Sequence, residues 1–182
     1  YVEGDKSISH RALIIASQCM GISSIKGVLE SEDINNTVNC LKALGVKILK
    51  KNNTYLVYGN GLGSFRKPSK KILYCGNAGT LVRLLSGLLA TSNFKTDLTG
   101  DKSLNKRPMK RIIEPLSKIG ANFFPKKKTT LPLSIEGTSM PLAQKFEERI
   151  GSAQIKSSIL LASLNTPGIT TVQAALSRDH TE

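Results

Sequence analysis

Apolar and polar positions follow two rhythms along this chain, and each change of rhythm marks an element. Apolar positions at helical spacing predict helices over residues 9–20, 33–44, 80–90, 108–118 and 152–164. β-prone runs between them predict strands over 23–26, 46–50, 55–58, 72–75, 95–98, 122–124, 133–136 and 169–173, with an extended stretch at 144–148. Two phrases supply the punctuation. Leu41-Lys42-Ala43-Leu44-Gly45-Val46-Lys47-Ile48 and Leu116-Ser117-Lys118-Ile119-Gly120-Ala121-Asn122-Phe123 each close a helix on Gly and then enter a strand. Gly is favoured there because the residue after a helix commonly needs a left-handed backbone. Ser31 or Asp33 is placed to cap the second helix, and Pro108 suits a first helical position.

Read outward from those phrases, one order of elements recurs: β-α-β-α-β-β, in units of roughly 60–75 residues, the signature of a repeat architecture. The units run approximately over 1–66, 67–140 and 141–182. The first lacks most of its opening strand and the third lacks a helix and two strands. A new helix is expected near Ser177-Arg178-Asp179-His180. The expectation is an α/β (α+β repeat) fold with a pseudo-threefold plan, shorter than its natural domain. Gly4-Asp5-Lys6-Ser7 recurs as Gly100-Asp101-Lys102-Ser103. The first copy precedes the first helix of a unit and the second precedes a second helix, so the two are not equivalent sites.

Composition narrows the class. At 40% hydrophobic and 21% charged over 182 residues, the chain reads as globular with a buried core. Its most apolar stretches, around 12–16, 84–90 and 159–164, fall short of the ~18 residues of a membrane span. The start lacks the basic-then-apolar order of a signal peptide. Cys19, Cys40 and Cys75 are widely spaced, without CxxC, and the only histidines are His10 and His180. Free thiols, no zinc site and no other metal site are expected. The formal charge of +13 points to anionic partners without choosing among nucleic acid, membrane and small substrates. A small dianion needs only a few cations, so the runs at 67–71 and 126–128 are expected on solvated loops.

Three first-helix starts carry small polar residues: Lys6-Ser7-Ile8-Ser9, Gly76-Asn77-Ala78-Gly79-Thr80 and Gly151-Ser152-Ala153-Gln154. A helix start offers free N–H groups and partial positive charge to an anion. Each has a cation about one turn on, Arg11, Arg83 and Lys156. Any one of these is also what an ordinary cap looks like. Three in phase, each with a cation, point to an anion-binding face. Gly76–Thr80 is not a Walker loop, because no Gly-Lys-Ser/Thr follows it. Arg107, in Lys106-Arg107-Pro108, offers a planar fork to a carboxylate or phosphate. No paired carboxylates, nucleophile elbow or Cys/His arrangement is evident, so the chain looks equipped to bind anions more than to move protons.

Five ordered motifs carry a resemblance over almost the whole chain. They are Gly-Asp-Lys-Ser-Ile-Ser-His-Arg-Ala-Leu at 4–13, Gly-Asn-Ala-Gly-Thr-Leu-Val-Arg-Leu at 76–84 and Lys-Arg-Pro-Met at 106–109. Ser-Ala-Gln-Ile-Lys-Ser-Ser-Ile-Leu-Leu-Ala at 152–162 and Ser-Arg-Asp-His-Thr-Glu at 177–182 complete the set. Together they closely resemble the 5-enolpyruvylshikimate-3-phosphate synthase family of the shikimate pathway. The resemblance implies an inside-out α/β barrel of β-α-β-α-β-β units, one of two similar domains that close on substrate. It implies enolpyruvyl transfer from phosphoenolpyruvate to the 5-hydroxyl of shikimate 3-phosphate, with release of phosphate, by a cytoplasmic enzyme without cofactor. It implies that Lys6, Ser7, Arg11, Ser152, Ala153, Gln154 and Ser177 hold shikimate 3-phosphate. Lys6, Asn77, Gly79, Arg83, Arg107 and Gln154 would hold phosphoenolpyruvate. The principal acid/base groups would lie in the other domain, leaving this polypeptide alone inactive. Glu3 stands where the family usually has Pro, and Ala153 replaces a second Ser found in some members, though its backbone can still serve. Gly79, rather than Ala, leaves room for the family's inhibitor glyphosate.

Two other readings compete with this one. The related transferase family acting on UDP-N-acetylglucosamine uses a reactive Cys on a loop, and none of the three cysteines sits in such a motif. A basic nucleic-acid-binding module would account for the +13, but aromatics are 5% with no Trp, and no basic-aromatic stacking motif is present.

Overall fold

The computed structural model describes residues 4–148 and 151–174. The elements run α1 (Lys6–Gln18), β1 (Met20–Lys26), α2 (Glu32–Ala43), β2 (Lys47–Lys51) and β3 (Thr54–Asn60). Then come β4 (Ile72–Tyr74), α3 (Gly79–Ala90), β5 (Lys95–Thr99), a 3₁₀ turn (Leu104–Lys106), α4 (Lys110–Ile119), β6 (Asn122–Pro125) and β7 (Leu133–Glu136). β8 (Lys145–Glu148), α5 (Ala153–Ser163) and β9 (Thr171–Ala174) complete the order. The helix expected near 177–180 lies outside the described residues.

The strands form three sheets. One is antiparallel, in the order β1-β3-β2. The second has the order β4-β5-β7-β6, with β4 parallel to β5 and the rest antiparallel. In the third, β8 lies parallel to β9. A parallel pair needs a crossover, and α3 and α5 provide it in the second and third sheets.

The helices pack inside these sheets. α3 is buried almost all the way round, from Gly79 through Leu81, Val82, Leu84 and Leu85 to Leu88, Leu89 and Ala90. A helix apolar on every side belongs in a core. Gly87 lets α3 lie close on α5, since a Cβ there would run into the Ser158 carbonyl. α1 and α2 bury Leu13, Ile14, Ile34 and Leu41 against the first sheet, where Ile48, Tyr55 and Val57 point inward. The outward residues of β3 alternate with these, as a sheet with one buried face requires. Lys67, Lys70, Lys71 and Lys126, Lys127, Lys128 are exposed.

Both expected Gly closures form the same motif. Gly45 has φ +93, its N–H donates to Lys42 O, and the next N–H, of Val46, donates to Leu41 O. Gly120 has φ +117, with the matching bonds to Ser117 O and, from Ala121, to Leu116 O. These are Schellman pairs, and a Cβ is disfavoured at that left-handed position.

Two helix starts differ from expectation. α1 begins three residues early because Asp5 caps it, its Oδ1 accepting from Ile8 N at 2.8 Å. Lys6 and Ser7 therefore lie inside the first turn. α4 begins at Lys110, not Pro108. Arg107 precedes a proline, which biases it toward an extended backbone, and it adopts ψ 136. Met109 then caps α4 while its own N–H donates to Thr129 O at 2.7 Å.

Candidate functional site

The starts of α1, α3 and α5 meet on one face. A cavity of about 270 Å³ is lined by Ser7, Arg11, Thr80, Gly151, Ser152, Ala153 and Gln154, so all three helices contribute. A neighbouring cavity of about 360 Å³ is lined by Lys6, Asp33, Asn77, Gly79, Thr80, Arg107 and Gln154. Arg83 lines a third, about 450 Å³, with Ser152 and Gln154. The sequence-derived candidates therefore come together, apart from Ser177, which lies outside the described residues. Lys156 lines none of the three.

Each cation is held by a named partner. Arg11 is 9% exposed. Its Nη1 donates to Ser7 O at 3.1 Å and its Nη2 to Ser157 Oγ at 2.8 Å. Burial pulls its pKa below the ordinary arginine value, with Asp5 opposing. Arg83 Nη1 donates to Gly79 O at 3.1 Å and to Gln154 Oε1 at 2.9 Å. Burial, and then the like charge of Arg107, lower its pKa as well. Arg107 Nη2 donates to Asn77 Oδ1 at 2.7 Å. Lys6 Nζ is 2.9 Å from Asp33 Oδ2.

Arg83 and Arg107 face each other across Gly79. A Cβ built there would lie 2.8 Å from Arg83 Nη1 and 2.9 Å from Arg107 Nη1. Two guanidinium groups sharing one small space repel, and an anion between them turns that repulsion into charge-assisted hydrogen bonding. Gln154 is the wall common to all three cavities. Its Nε2 donates to Thr80 Oγ1 at 3.0 Å while its Oε1 takes the Arg83 bond, so the amide has one orientation that satisfies both neighbours.

The sequence reading missed three participants. Asp33 was seen only as a potential cap, and Thr80 only as part of a Gly-rich phrase. His10 enters only in the histidine count and as one letter of the 4–13 motif, with no role. It is fully buried. Thr37 Oγ1 donates to Asp33 O at 3.1 Å, so at 2.7 Å it accepts from His10 Nδ1–H. Burial lowers the His10 pKa to about 4, Asp33 opposing and Lys6 and Arg11 adding to the fall. His10 is thus neutral and structural at neutral pH. Spacing signals one of them: Asp33 stands one helical turn from Thr37, whose hydroxyl donates to its carbonyl.

None of the cysteines lines the three cavities. Cys40 and Cys75 are buried, Cys19 is exposed, and all are free. The hydrogen bond with Cys40, and burial, push the Cys75 thiol well above its usual range. Among the described residues there is no cluster of three or more His, Cys, Asp or Glu able to hold a metal, and no helix is long and apolar enough to cross a membrane.

Fold and site together define a class: an α/β repeat protein in which three helix starts converge on shared cavities lined by cationic side chains. All of residues 1–182 match the family described as EPSP synthase (3-phosphoshikimate 1-carboxyvinyltransferase). A 3-phosphoshikimate 1-carboxyvinyltransferase of Paramagnetospirillum magneticum is 45% identical over 183 residues, covering 100% of this chain and 41% of that protein. One from Sulfurihydrogenibium sp. is 48% identical over 183 residues, covering 100% and 42%. The solved EPSP synthase of Acinetobacter baumannii superposes with a TM-score of 0.93 at 40% identity, over 99% of this chain and 41% of that one. The chain belongs to the EPSP synthase family. It spans about two fifths of the length of the relatives it matches.

Proposed function

We propose that this chain forms one wall of the substrate cleft of a 3-phosphoshikimate 1-carboxyvinyltransferase. The reaction is transfer of the enolpyruvyl group of phosphoenolpyruvate to the 5-hydroxyl of shikimate 3-phosphate, with release of phosphate. Residues 1–182 act as one domain, and the remaining length of such proteins supplies the facing wall and the groups that move protons. No cofactor, nucleic acid or membrane enters this reading, and the setting is the cytoplasm.

The single observation that carries it is the pair of adjoining cationic cavities with Thr80 and Gln154 as common lining. Two anions joined by a reaction need seats that touch. Shikimate 3-phosphate takes the seat of Ser7, Arg11, Ser152, Ala153 and Gln154, with Lys6 at its border and Ser177 reaching the phosphate. Phosphoenolpyruvate takes the seat of Lys6, Asn77, Gly79, Arg83, Arg107 and Gln154. In both, N–H groups and cations are fixed before the ligand arrives, so they can stabilise charge on a tetrahedral intermediate without reorganising.

Calorimetry of this polypeptide with shikimate 3-phosphate, and separately with random RNA, tests the proposal. Weak saturable binding of shikimate 3-phosphate is expected, with no turnover by this polypeptide alone. Binding of RNA only would overturn it.

A further inference from the structure

The cavity assigned to phosphoenolpyruvate has one acidic wall, Asp33. A carboxylate repels an anionic ligand unless its charge is already committed to a cation. Asp33 is committed: its Oδ2 is 2.9 Å from Lys6 Nζ.

The backbone that carries the carboxylate is also anchored. Asp33 is the second residue of α2, where the helix start favours negative charge. Its carbonyl accepts from Thr37 Oγ1 at 3.1 Å, and Thr37 is tied in turn to His10 at 2.7 Å. Thr37 and His10 are both fully buried. Lys6, by contrast, has a side chain that is 53% exposed, on a flexible stem. An acid on an anchored helix start thus pairs with a more exposed, long-stemmed base at the edge of the seat.

We propose that Asp33 is a positioning residue: it aims the Lys6 ammonium across the phosphoenolpyruvate seat, so that the ligand meets a cation already in place. The proposal rests on the assignment of that seat to phosphoenolpyruvate. It runs against simple charge counting, in which removing the acid makes the seat more positive and tightens anion binding.

The test is steady-state kinetics on the polypeptide carrying this chain at the length of its relatives. Asp33→Ala should raise KM for phosphoenolpyruvate about tenfold, the loss of one charge-assisted contact. Asp33→Asn, which keeps an oxygen for Lys6, should recover most of that. In a Lys6→Met background, Asp33→Ala should change KM by less than about twofold, since positioning acts only through Lys6. A merely structural role for Asp33 in α2 would show the same cost in both backgrounds. Tighter phosphoenolpyruvate binding in Asp33→Ala, or an equal loss with and without Lys6, overturns the proposal. If the unaltered protein has no saturable dependence on phosphoenolpyruvate, the seat assignment itself fails, which is a separate outcome.

Discussion

Gly79→Ala should raise stability and weaken binding at once. Gly79 is the first residue of α3 and its φ is not positive, so alanine fits the backbone. Alanine is the better helix former by about 1 kcal/mol, and it restricts the unfolded chain. A rise in Tm of about 2–4 °C is expected for a chain of this size. The new methyl meets only side-chain ends, Arg83 Nη1 at 2.8 Å and Arg107 Nη1 at 2.9 Å. Ordinary carbon contacts start near 3.5 Å, so both guanidinium groups retreat by about 0.6 Å or the methyl takes their space. Either way a ligand oxygen between them loses about one charge-assisted hydrogen bond, worth about 1.5–3 kcal/mol. KM for phosphoenolpyruvate should rise at least tenfold, and glyphosate, expected in the same seat, should lose potency too. Scanning calorimetry on this polypeptide, and steady-state kinetics on the polypeptide carrying it at the length of its relatives, measure both sides. A lower Tm, or an unchanged KM, would refute the reasoning.

The same substitution eight residues on should behave oppositely. Gly87→Ala drives a methyl into the Ser158 carbonyl, a backbone atom that cannot swing aside, and should cost about 1–3 kcal/mol in denaturant unfolding. Ser157→Ala removes the hydroxyl that Arg11 Nη2 donates to at 2.8 Å, and should weaken shikimate 3-phosphate binding several-fold by calorimetry. Stability should fall with acid because His10 is held neutral. Its pKa drops from 6.5 to about 4, so the unfolded state binds the extra proton first. The cost is absent above pH 7, reaches about 2 kcal/mol near pH 5 and about 3 kcal/mol below pH 4. Urea titrations from pH 7 to 4 should show that slope in the native chain and a shallower one in His10→Asn, which keeps a donor for Thr37.

Much of the fold was legible because the signals were local. Gly45 and Gly120 announce their helix ends through one backbone requirement each, and the β-prone runs beside them name the strands. The errors were local as well. Pro108 was read as an opening residue by its own φ, but its effect on Arg107, one position back, decides where α4 starts. Asp5 moved the start of α1 because a side-chain cap outweighs the onset of apolar periodicity. The site was legible only as far as helix starts and cations reveal it. That Arg83 and Arg107 face across Gly79, or that Asp33 meets Lys6, depends on the docking of elements up to 28 positions apart, which periodicity does not encode. The family resemblance grouped Gly79, Arg83 and Arg107, whereas the contact of Asp33 with Lys6 is seen only in the structure.

α5 reaches Arg11 of α1 and Arg83 of α3. Ser157 takes Arg11 from 146 positions away, Gln154 takes Arg83 from 71 and Thr80 from 74, and Ser158 donates to Arg83 O from 75. The face these residues share is therefore closed by contacts 71 to 146 positions apart. Loops of that length close slowly, so the face should be among the last parts to assemble. A ligand that needs the whole face binds only the finished chain, and it then stabilises global folding in proportion to RT ln(1 + [L]/Kd). Substrate level becomes a term in the lifetime of the protein, not only in its rate.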